Sequence, residues 1–454
     1  MSLKNNIIRI FSANFITMIS GILIGFIVPA VLSIESYSYV KTYMFYISYI
    51  GFLHFGFIDG MYIKYGGKES KDIDVNEFKC EHKVFIVMQL IVSLIFIIIS
   101  ILYRDIIIFL MAASIIPINT LSFHKLFYQS TGQFKEYTKI TYLYTTMYLV
   151  LNIVLAIFFR SENYIYYCLT SLISNGVVYA ILEIKFYKKT REIKTKYNPK
   201  VWNNVKVGFF ILLGNLSVML FYAIDRWFIK IFLGVNDFAY YSFAVSMLSI
   251  INLLVNSVSI TFYNYLSKGE NEDEIKMLKN YFLILGGIAS FGYFILAAIV
   301  ETFLKKYNLA LSIISISFSA YPYMIVINAL YINLYKTRKD EKKYLKVVIS
   351  MLVISTIYNI IAVILWRSSQ SIAIATTLSF ITWYIYSMRD FKYINLSLKE
   401  ATYLIIITST FLVLANTSGW FIGGSIYLFI IIVVTSIFYK NEVLRVIKIF
   451  IKKL

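Results

Sequence analysis

Three ionisable residues lie close together inside an otherwise apolar stretch of the sequence. Asp225 and Arg226 are adjacent, and Lys230 follows four residues after Arg226. On a helix, residues four apart share a face, while Asp225 would point about 100° away from Arg226. Because an arginine fork makes paired bonds to phosphate oxygens, the two cations could bind a di-anion such as a pyrophosphate. Alternatively, Lys230 could extend to the aqueous end of the helix, and Asp225 could neutralise a neighbouring cation.

A second polar group lies in an apolar stretch near the beginning of the chain. His54 could relay a proton, because imidazole titrates near neutral pH, or it could be a packing residue. Asp59 lies in Gly56-Phe57-Ile58-Asp59-Gly60, where the glycines permit close helix approach or a break in the helix. We expect Asp59 to form either a gating ion pair or a simple charge at a helix end.

Asparagine side chains add polarity without full charge. They include Asn215, Asn252 and Asn256, of which the last two are again four residues apart. Each could simply hydrogen-bond to a neighbouring helix. Their number, together with the many tyrosines in the same stretches, favours a wettable cavity suited to a sugar-bearing substrate.

Membrane-spanning helices must position these residues. The 454-residue chain is 59% hydrophobic and 15% charged, whereas a soluble domain has roughly 25% charged residues. Its apolar stretches run to about 20 residues, the length of a helical span and twice that of a barrel strand. The sequence therefore predicts an all-α polytopic membrane protein with about 14 transmembrane helices.

The spans are expected near 8–33, 39–63, 84–103, 106–128, 139–159, 164–184, 207–232, 239–265, 281–300, 309–335, 347–366, 372–388, 401–417 and 420–439. Pro29, Pro117 and Pro322 are expected to kink their helices. Most of the 43 lysines and arginines fall in connections on one side of these spans. Because basic residues stay on the cytoplasmic side, both termini are predicted to be cytoplasmic. The net charge of +19 then reflects insertion and contact with anionic lipid, and no nucleic acid is expected as a partner.

An internal repeat divides the chain. The matched pairs are Tyr128/Tyr335, Lys135/Lys342, Tyr137/Tyr344 and Lys139/Lys346. Chance in a chain rich in tyrosine and lysine is the alternative. The predicted domains are an N-terminal six-helix lobe at 1–184, a basic cytoplasmic linker at 185–206, a C-terminal six-helix lobe at 207–388, and two additional helices with a basic tail at 389–454. Two such lobes are a transporter architecture with the substrate path between them.

Catalytic and metal-binding motifs are missing from the sequence. The two cysteines lack zinc-type spacing, and neither a Gly-x-Ser-x-Gly motif nor a metal-ligand cluster is apparent. We therefore predict no cofactor, no metal site and no enzymatic activity. A membrane-embedded polysaccharide polymerase or ligase is the alternative of a different class, but it would need a large outer loop, and the outer connections here are very short.

Two stretches resemble the polysaccharide transport branch of the MOP exporter superfamily. They resemble most closely the Wzx-type flippases for lipid-linked O-antigen or capsule repeat units. The first stretch is Phe55-Gly56-Phe57-Ile58-Asp59-Gly60 with Lys64-Tyr65-Gly66, and the second comprises Gly214-Asn215-Leu216, Asp225-Arg226, Leu233-Gly234 and Tyr241-Ser242-Phe243-Ala244. In architecture the resemblance covers essentially the whole chain.

The resemblance implies a flippase of the bacterial plasma (inner) membrane. It would move an undecaprenyl-pyrophosphate-linked oligosaccharide from the cytoplasmic to the outer leaflet by alternating access, for O-antigen (lipopolysaccharide) or other surface polysaccharide biosynthesis. By that resemblance, Arg226 is the first candidate for pyrophosphate contact and Lys230 the second. The further candidates are Asn215, Asn252 and Asn256 for substrate binding, and Asp225, Asp59 and His54 for coupling or gating. A coupling cation (H⁺ or Na⁺), a polysaccharide polymerase and chain-length proteins are the expected partners.

Two alternatives within the same superfamily remain. A multidrug or metabolite exporter should have an acidic cavity for cationic compounds, and the few acids within the spans argue mildly against it. A peptidoglycan-precursor flippase would have the same physical requirements as the Wzx-type protein.

Overall fold

The computed structural model describes residues 3–266, 269 and 271–451. Within these residues the regular secondary structure consists of helices. The chain forms two compact units, Met1–Leu216 and Ser217–Leu454, which we call unit 1 and unit 2. The boundary between the units falls within one helix, Asn203–Phe221.

Unit 1 is built mainly of long apolar helices. Its helices are α1 (Leu3–Val31), α2 (Ile34–Ile47), α3 (Phe57–Tyr65), α4 (Val75–Tyr103), α5 (Ile106–Ser130), α6 (Phe134–Ile153), α7 (Tyr164–Thr190) and α8 (Asn203–Phe221). A π-helical turn at Val154–Phe158 extends α6. Short 3₁₀ turns lie at Ile50–Phe52, Ser70–Asp72 and Pro199–Trp202.

Unit 2 contains the remaining helices. They are α9 (Ile224–Phe232), α10 (Val235–Leu266), α11 (Glu272–Phe303), α12 (Ala310–Phe318), α13 (Tyr321–Val326), α14 (Ile332–Thr337), α15 (Glu341–Leu365), α16 (Ser369–Met388), α17 (Leu398–Thr417), α18 (Trp420–Phe438) and α19 (Lys440–Ile451). A π-helical turn at Ile327–Tyr331 joins α13 to α14. Short 3₁₀ turns lie at Lys305–Tyr307 and Lys392–Ile394.

Polar side chains mark the starts of several of these helices. Asp74, Asp105, Asn163, Asn271 and Ser397 each accept a hydrogen bond from a backbone N–H in the first turn of the following helix. These N–H groups have no partner within the helix, so a capping oxygen stabilises the start. The starts of these five helices are therefore each set by a single polar residue.

The described helices fit a protein that crosses the membrane many times. Eleven of them are long and apolar enough to span it, and the bent pair Ala310–Phe318 and Tyr321–Thr337 provides a twelfth. The two remaining predicted spans, 39–63 and 239–265, correspond to the broken pair α2 and α3 and to the 32-residue helix α10. The prediction of an all-α multi-pass membrane protein is confirmed.

Besides the bent pair, two spans that hydropathy predicts as continuous are interrupted. The span at 39–63 is interrupted before α3, where Phe55 and Gly56 have φ of 52° and 83°. The span at 207–232 is interrupted between the end of α8 and the start of α9 at Ile224. A hydropathy sum over about 20 residues does not detect such breaks, because it averages over the residues on both sides.

Proline has different effects at its three expected kinks. The break before Pro322 bends the chain by 46° between α12 and the following segment, as expected for that residue. In contrast, α5 continues through Pro117 and α1 continues through Pro29. At the bend the backbone is tightly packed, since a Cβ on Gly286 of α11 would lie 2.4 Å from the Cα of Pro322.

Helices α3 and α8 approach each other so closely that only glycine fits between them. A Cβ added at Gly60 would lie 2.0 Å from the carbonyl oxygen of Asn204, and one at Gly208 would lie 1.9 Å from that of Gly56. The glycines of the motif around Asp59 therefore provide both features expected of them, a break in the helix and a close helix contact.

A buried carboxylate holds the same region together. Glu81 of α4 is fully buried, and it forms an ion pair with Lys64 of α3, which also lies 2.7 Å from Glu77. Tyr65 and Asn204 donate hydrogen bonds to the two Glu81 oxygens at 2.9 and 3.0 Å. Loss of one partner from such a buried charge is strongly destabilising, because the charge is then left uncompensated.

Unit 2 has its own buried ion pair. The Nζ of Lys279 on α11 lies 2.8 Å from Glu400 of α17 and donates to the carbonyl of Ile394 at 2.8 Å. The hydroxyl of Tyr384 on α16 donates to the same carboxylate. The pair therefore ties three helices of unit 2 together.

Candidate functional site

A polar cavity of about 480 Å³ lies within unit 2. Its walls come from the end of α8 and from α9, α10, α12–α16 and the π-helical turn. The polar residues that line it include Tyr222, Asp225, Arg226, Tyr241, Asn252 and Asn328. Such a cavity in a helical bundle is a usual place for a ligand site.

The break between α8 and α9 places Asp225 and Arg226 at this cavity. Asp225 is in the first turn of α9 and is buried. One of its oxygens accepts the backbone N–H of Arg226 at 2.7 Å, and the other accepts the hydroxyl of Tyr241 at 2.7 Å. The start of a helix also favours negative charge. The carboxylate is therefore held by partners within the protein.

Positive charge exceeds negative charge around the cavity. Arg226 is half-buried and follows Asp225 in the same turn of α9, and Lys336 of α14 is exposed and also lines the cavity. The described charged residues in the lining are these two cations and Asp225. Because Asp225 already has hydrogen-bond partners, the site can accept an anion.

A π-helical turn supplies one amide of the wall. Asn328 lies in the turn at Ile327–Tyr331, and its side-chain oxygen accepts the hydroxyl of Tyr222 at 2.8 Å. Its backbone oxygen accepts the hydroxyl of Ser259 at 2.8 Å. Local π-helical turns often occur at functional sites because they shift side chains out of the regular helical register.

The side-chain oxygen of Asn252 is able to accept a hydrogen bond from a ligand. Its Oδ1 is buried and has no hydrogen-bond partner among the described residues. Buried oxygens in proteins nearly always have a partner, which can be water or a ligand. The Asn252 amide is therefore suited to bind a hydroxyl group that enters the cavity.

The structure brings together some of the residues predicted for substrate binding. Arg226 and Asn252 both line the cavity. Lys230 is not among the described lining residues, and its Nζ lies 5.0 Å from the ring centre of Phe238. Asn215 is exposed on α8 and falls in unit 1. Asn256 belongs to α10, but its side chain is outside the part of the chain that the structure describes.

The coupling candidates lie in two places. Asp225 lines the cavity of unit 2, whereas His54 and Asp59 are in unit 1. His54 Nε2 lies 3.9 Å from an Asp59 oxygen, and His54 Nδ1 accepts the backbone N–H of Gly56 at 3.1 Å. His54 therefore lies within the interrupted segment before α3, close to the Asp59 carboxylate.

Sequence reasoning missed several features of the cavity. In the sequence Lys336 belongs to a connection rich in lysine, and nothing there distinguishes Asn328 from other asparagines in apolar stretches. The internal repeat includes Tyr344, which also lines the cavity.

Sequence analysis also missed a cluster of metal-ligand side chains in unit 1, where His82, His124 and Glu183 converge. These three are too far apart in the chain to form a recognisable motif.

The comparisons with known proteins establish the fold. No family model matches the sequence, and no curated protein matches it significantly. The structure is similar to that of the lipid II flippase MurJ in its inward closed conformation, with a TM-score of 0.71 and 14% identity, covering 96% of this chain and 100% of that one.

A second similar structure is a multidrug resistance MATE family transporter of the MOP superfamily in an inward-facing conformation. The TM-score is 0.54 at 12% identity, covering 83% of this chain and 95% of that one. The chain therefore has the fold that these two structures share. One of these proteins is described as a flippase and the other as a transporter.

Proposed function

We propose that this protein is a Wzx-type flippase. It moves an undecaprenyl-pyrophosphate-linked oligosaccharide from the cytoplasmic to the outer leaflet of the bacterial plasma membrane, for O-antigen or other surface polysaccharide biosynthesis. The observation that carries this proposal is the cavity of unit 2, where Arg226 lies among hydroxyl and amide groups. In this proposal the protein is not an enzyme and works by alternating access of two lobes, 1–184 and 207–388.

The chemistry of the cavity matches the headgroup of such a substrate. The polyprenyl tail can stay in lipid, so only the pyrophosphate and sugars need a polar path. Arg226 suits the pyrophosphate because its fork makes paired bonds to phosphate oxygens. Asn252, Tyr222 and Asn328 offer donors and acceptors for sugar hydroxyls. Lys230, Asn215 and Asn256 remain substrate-binding candidates from the sequence.

The charge balance of the cavity argues against the export of cationic drugs. A cationic drug needs an available carboxylate, but the Asp225 carboxylate already accepts hydrogen bonds from Tyr241 and from the backbone of Arg226.

The membrane potential can drive the proposed transport of an anionic headgroup. An inside-negative potential favours its outward movement by about 2.3 kcal/mol per charge per 100 mV. Asp225, Asp59 and His54 are proposed as sites where entry of H⁺ or Na⁺ adds to this driving force.

A peptidoglycan-precursor flippase is the second candidate function. The observation in its favour is the similarity to the lipid II flippase MurJ over 96% of this chain. Both candidate substrates present a pyrophosphate and sugars on a polyprenyl tail, so Arg226 would have the same role in each.

Depletion of the protein in its own bacterium distinguishes these functions. We expect surface polysaccharide to fall and its lipid-linked repeat units to accumulate in the cytoplasmic leaflet. Expression of the wild-type protein in the depleted cells should restore the polysaccharide, and expression of Arg226→Ala should not. Arg191→Ala, which changes an exposed arginine of unit 1, is the control and should restore it. Accumulation of lipid II with normal polysaccharide would support the second candidate. Accumulation of neither lipid would exclude both.

A further inference from the structure

Three side chains with metal-ligand chemistry converge in unit 1. His82 lies in the first turns of α4, His124 near the end of α5 and Glu183 near the end of α7. The Nε2 atoms of the two histidines lie 2.9 and 3.1 Å from the same oxygen of Glu183. The potential ligand atoms all lie within 4.8 Å of one another.

These distances are close to those in a metal site. Zinc binds imidazole nitrogen and carboxylate oxygen at about 2.0–2.2 Å, so neighbouring ligands of a tetrahedral ion are roughly 3.3 Å apart. Both nitrogen-to-oxygen distances already approach this separation. Since all the potential ligand atoms lie within 4.8 Å of one another, no separation between them has to shorten by more than about 1.5 Å. Small rotations of side chains on three helices would be enough to admit an ion.

The ligand types select a class of ion. Two neutral imidazoles and one carboxylate, with a further position open to water, form a set that Zn²⁺ and Fe²⁺ take in proteins. Ca²⁺ and Mg²⁺ prefer oxygen ligands, so they fit this site poorly. The site therefore favours a divalent transition-metal ion.

Aromatic rings pack against the two histidines, and part of the Glu183 side chain is exposed. Both histidines are buried. The His82 ring centre lies 4.2 Å from that of Phe186, and the His124 ring centre lies 5.7 Å from that of Phe123. The Glu183 side chain is 25% exposed. Packed rings restrict the rotamers of the ligands, and the exposed edge of the carboxylate allows an ion and a water molecule to enter.

Both histidines contact the same atom of Glu183. Two imidazole N–H groups are directed at a single carboxylate oxygen, Oε1 of Glu183. A cation placed between the three groups would instead be bound by a separate lone pair of each. We propose that His82, His124 and Glu183 bind one divalent transition-metal ion, which links α4, α5 and α7 and stiffens unit 1.

Metal titration of the full-length protein in detergent tests this proposal. The protein is purified through a tag that contains no histidine, stripped with a chelator and titrated with Zn²⁺ by calorimetry. We expect wild type to bind one ion per chain. His82→Asn, His124→Asn and Glu183→Gln should each lower the affinity at least tenfold, since loss of an outer-shell partner alone typically costs about 10–100-fold. His54→Asn is the matched control, because His54 is the other histidine of the chain and should leave binding unchanged.

Thermal unfolding provides a second measurement on the same variants. Zn²⁺ should raise the melting temperature of wild type and His54→Asn but not of Glu183→Gln, because an ion that binds only the folded state stabilises it. If a variant does not fold, the visible absorption spectrum of the wild-type protein with Co²⁺ shows whether the site binds a metal ion. An intense visible spectrum of a four- or five-coordinate ion supports the site, and the weak spectrum of hydrated Co²⁺ overturns it. Failure of wild type to bind one ion per chain, or equal binding by all folded ligand variants, would also overturn it.

Discussion

Arg226 is the residue on which substrate binding most depends in the proposed function. A hydrogen bond to a charged group contributes about 1.5–3 kcal/mol, which corresponds to roughly a tenfold to hundredfold change in affinity. In vesicles that contain the purified protein and a fluorescent polyprenyl-pyrophosphate sugar, Arg226→Ala should slow flipping by that factor. Arg226→Lys should retain part of the activity, because it keeps the charge but loses the planar fork.

The same assay includes Arg191→Ala, which changes an exposed arginine outside the cavity. This control should flip the substrate at the wild-type rate. Equal rates for wild type and Arg226→Ala would remove Arg226 from the proposed site. A loss of flipping in Arg191→Ala of the same size would mean that the assay responds to charge in general.

The hydrogen bond from Tyr241 to Asp225 predicts an effect on stability. Tyr241→Phe leaves one oxygen of a buried carboxylate without its donor, which typically costs about 1–3 kcal/mol. We expect a lower melting temperature in detergent. The adjacent Tyr240→Phe is the matched control, because Tyr240 is only partly buried and is not a described partner of Asp225. Equal melting temperatures for the two variants would contradict a structural role for this bond.

At the scale of helices, the contact between α3 and α8 gives a sharp prediction. Gly60→Ala would place a Cβ 2.0 Å from the carbonyl oxygen of Asn204, so the helices must separate. Overpacking of this kind costs about 1–3 kcal/mol or more, and the melting temperature should fall. The control is Gly176→Ala on α7, where an added Cβ meets nothing within 4 Å. This change should be neutral or raise the melting temperature, since alanine favours a helix over glycine.

Most of the helices could be predicted from the sequence, but their breaks could not. Hydropathy indicates long apolar stretches because it adds up contributions along the chain. The break at Gly56 and the π-helical turn around Asn328 depend on backbone angles and on packing against other helices. Asp225 and Arg226 could be identified because charge is rare in apolar stretches. The contact of His82 with Glu183 could not, because it joins residues from separate helices.

The orientation of the whole molecule determines which membrane face its exposed segments meet. Lys336 is exposed and lines the cavity, and it lies beside a connection rich in lysine. The distribution of lysine and arginine predicts that such connections face the cytoplasm. In that orientation a headgroup can be attracted to Lys336 and then bound by Arg226, so the proposed direction of transport requires a cytoplasmic location for residues 336–346.

Cysteine labelling in intact cells tests this orientation. The native Cys80 and Cys168 are buried and should react little, so single cysteines can be added at exposed positions. We expect Lys194→Cys and Lys339→Cys to react with a membrane-impermeant maleimide only after the cells are opened. Glu162→Cys should react before, because its connection is predicted to face outward. The reverse pattern would place Lys336 on the outer side, and the cavity would then face a leaflet in which the substrate is not made.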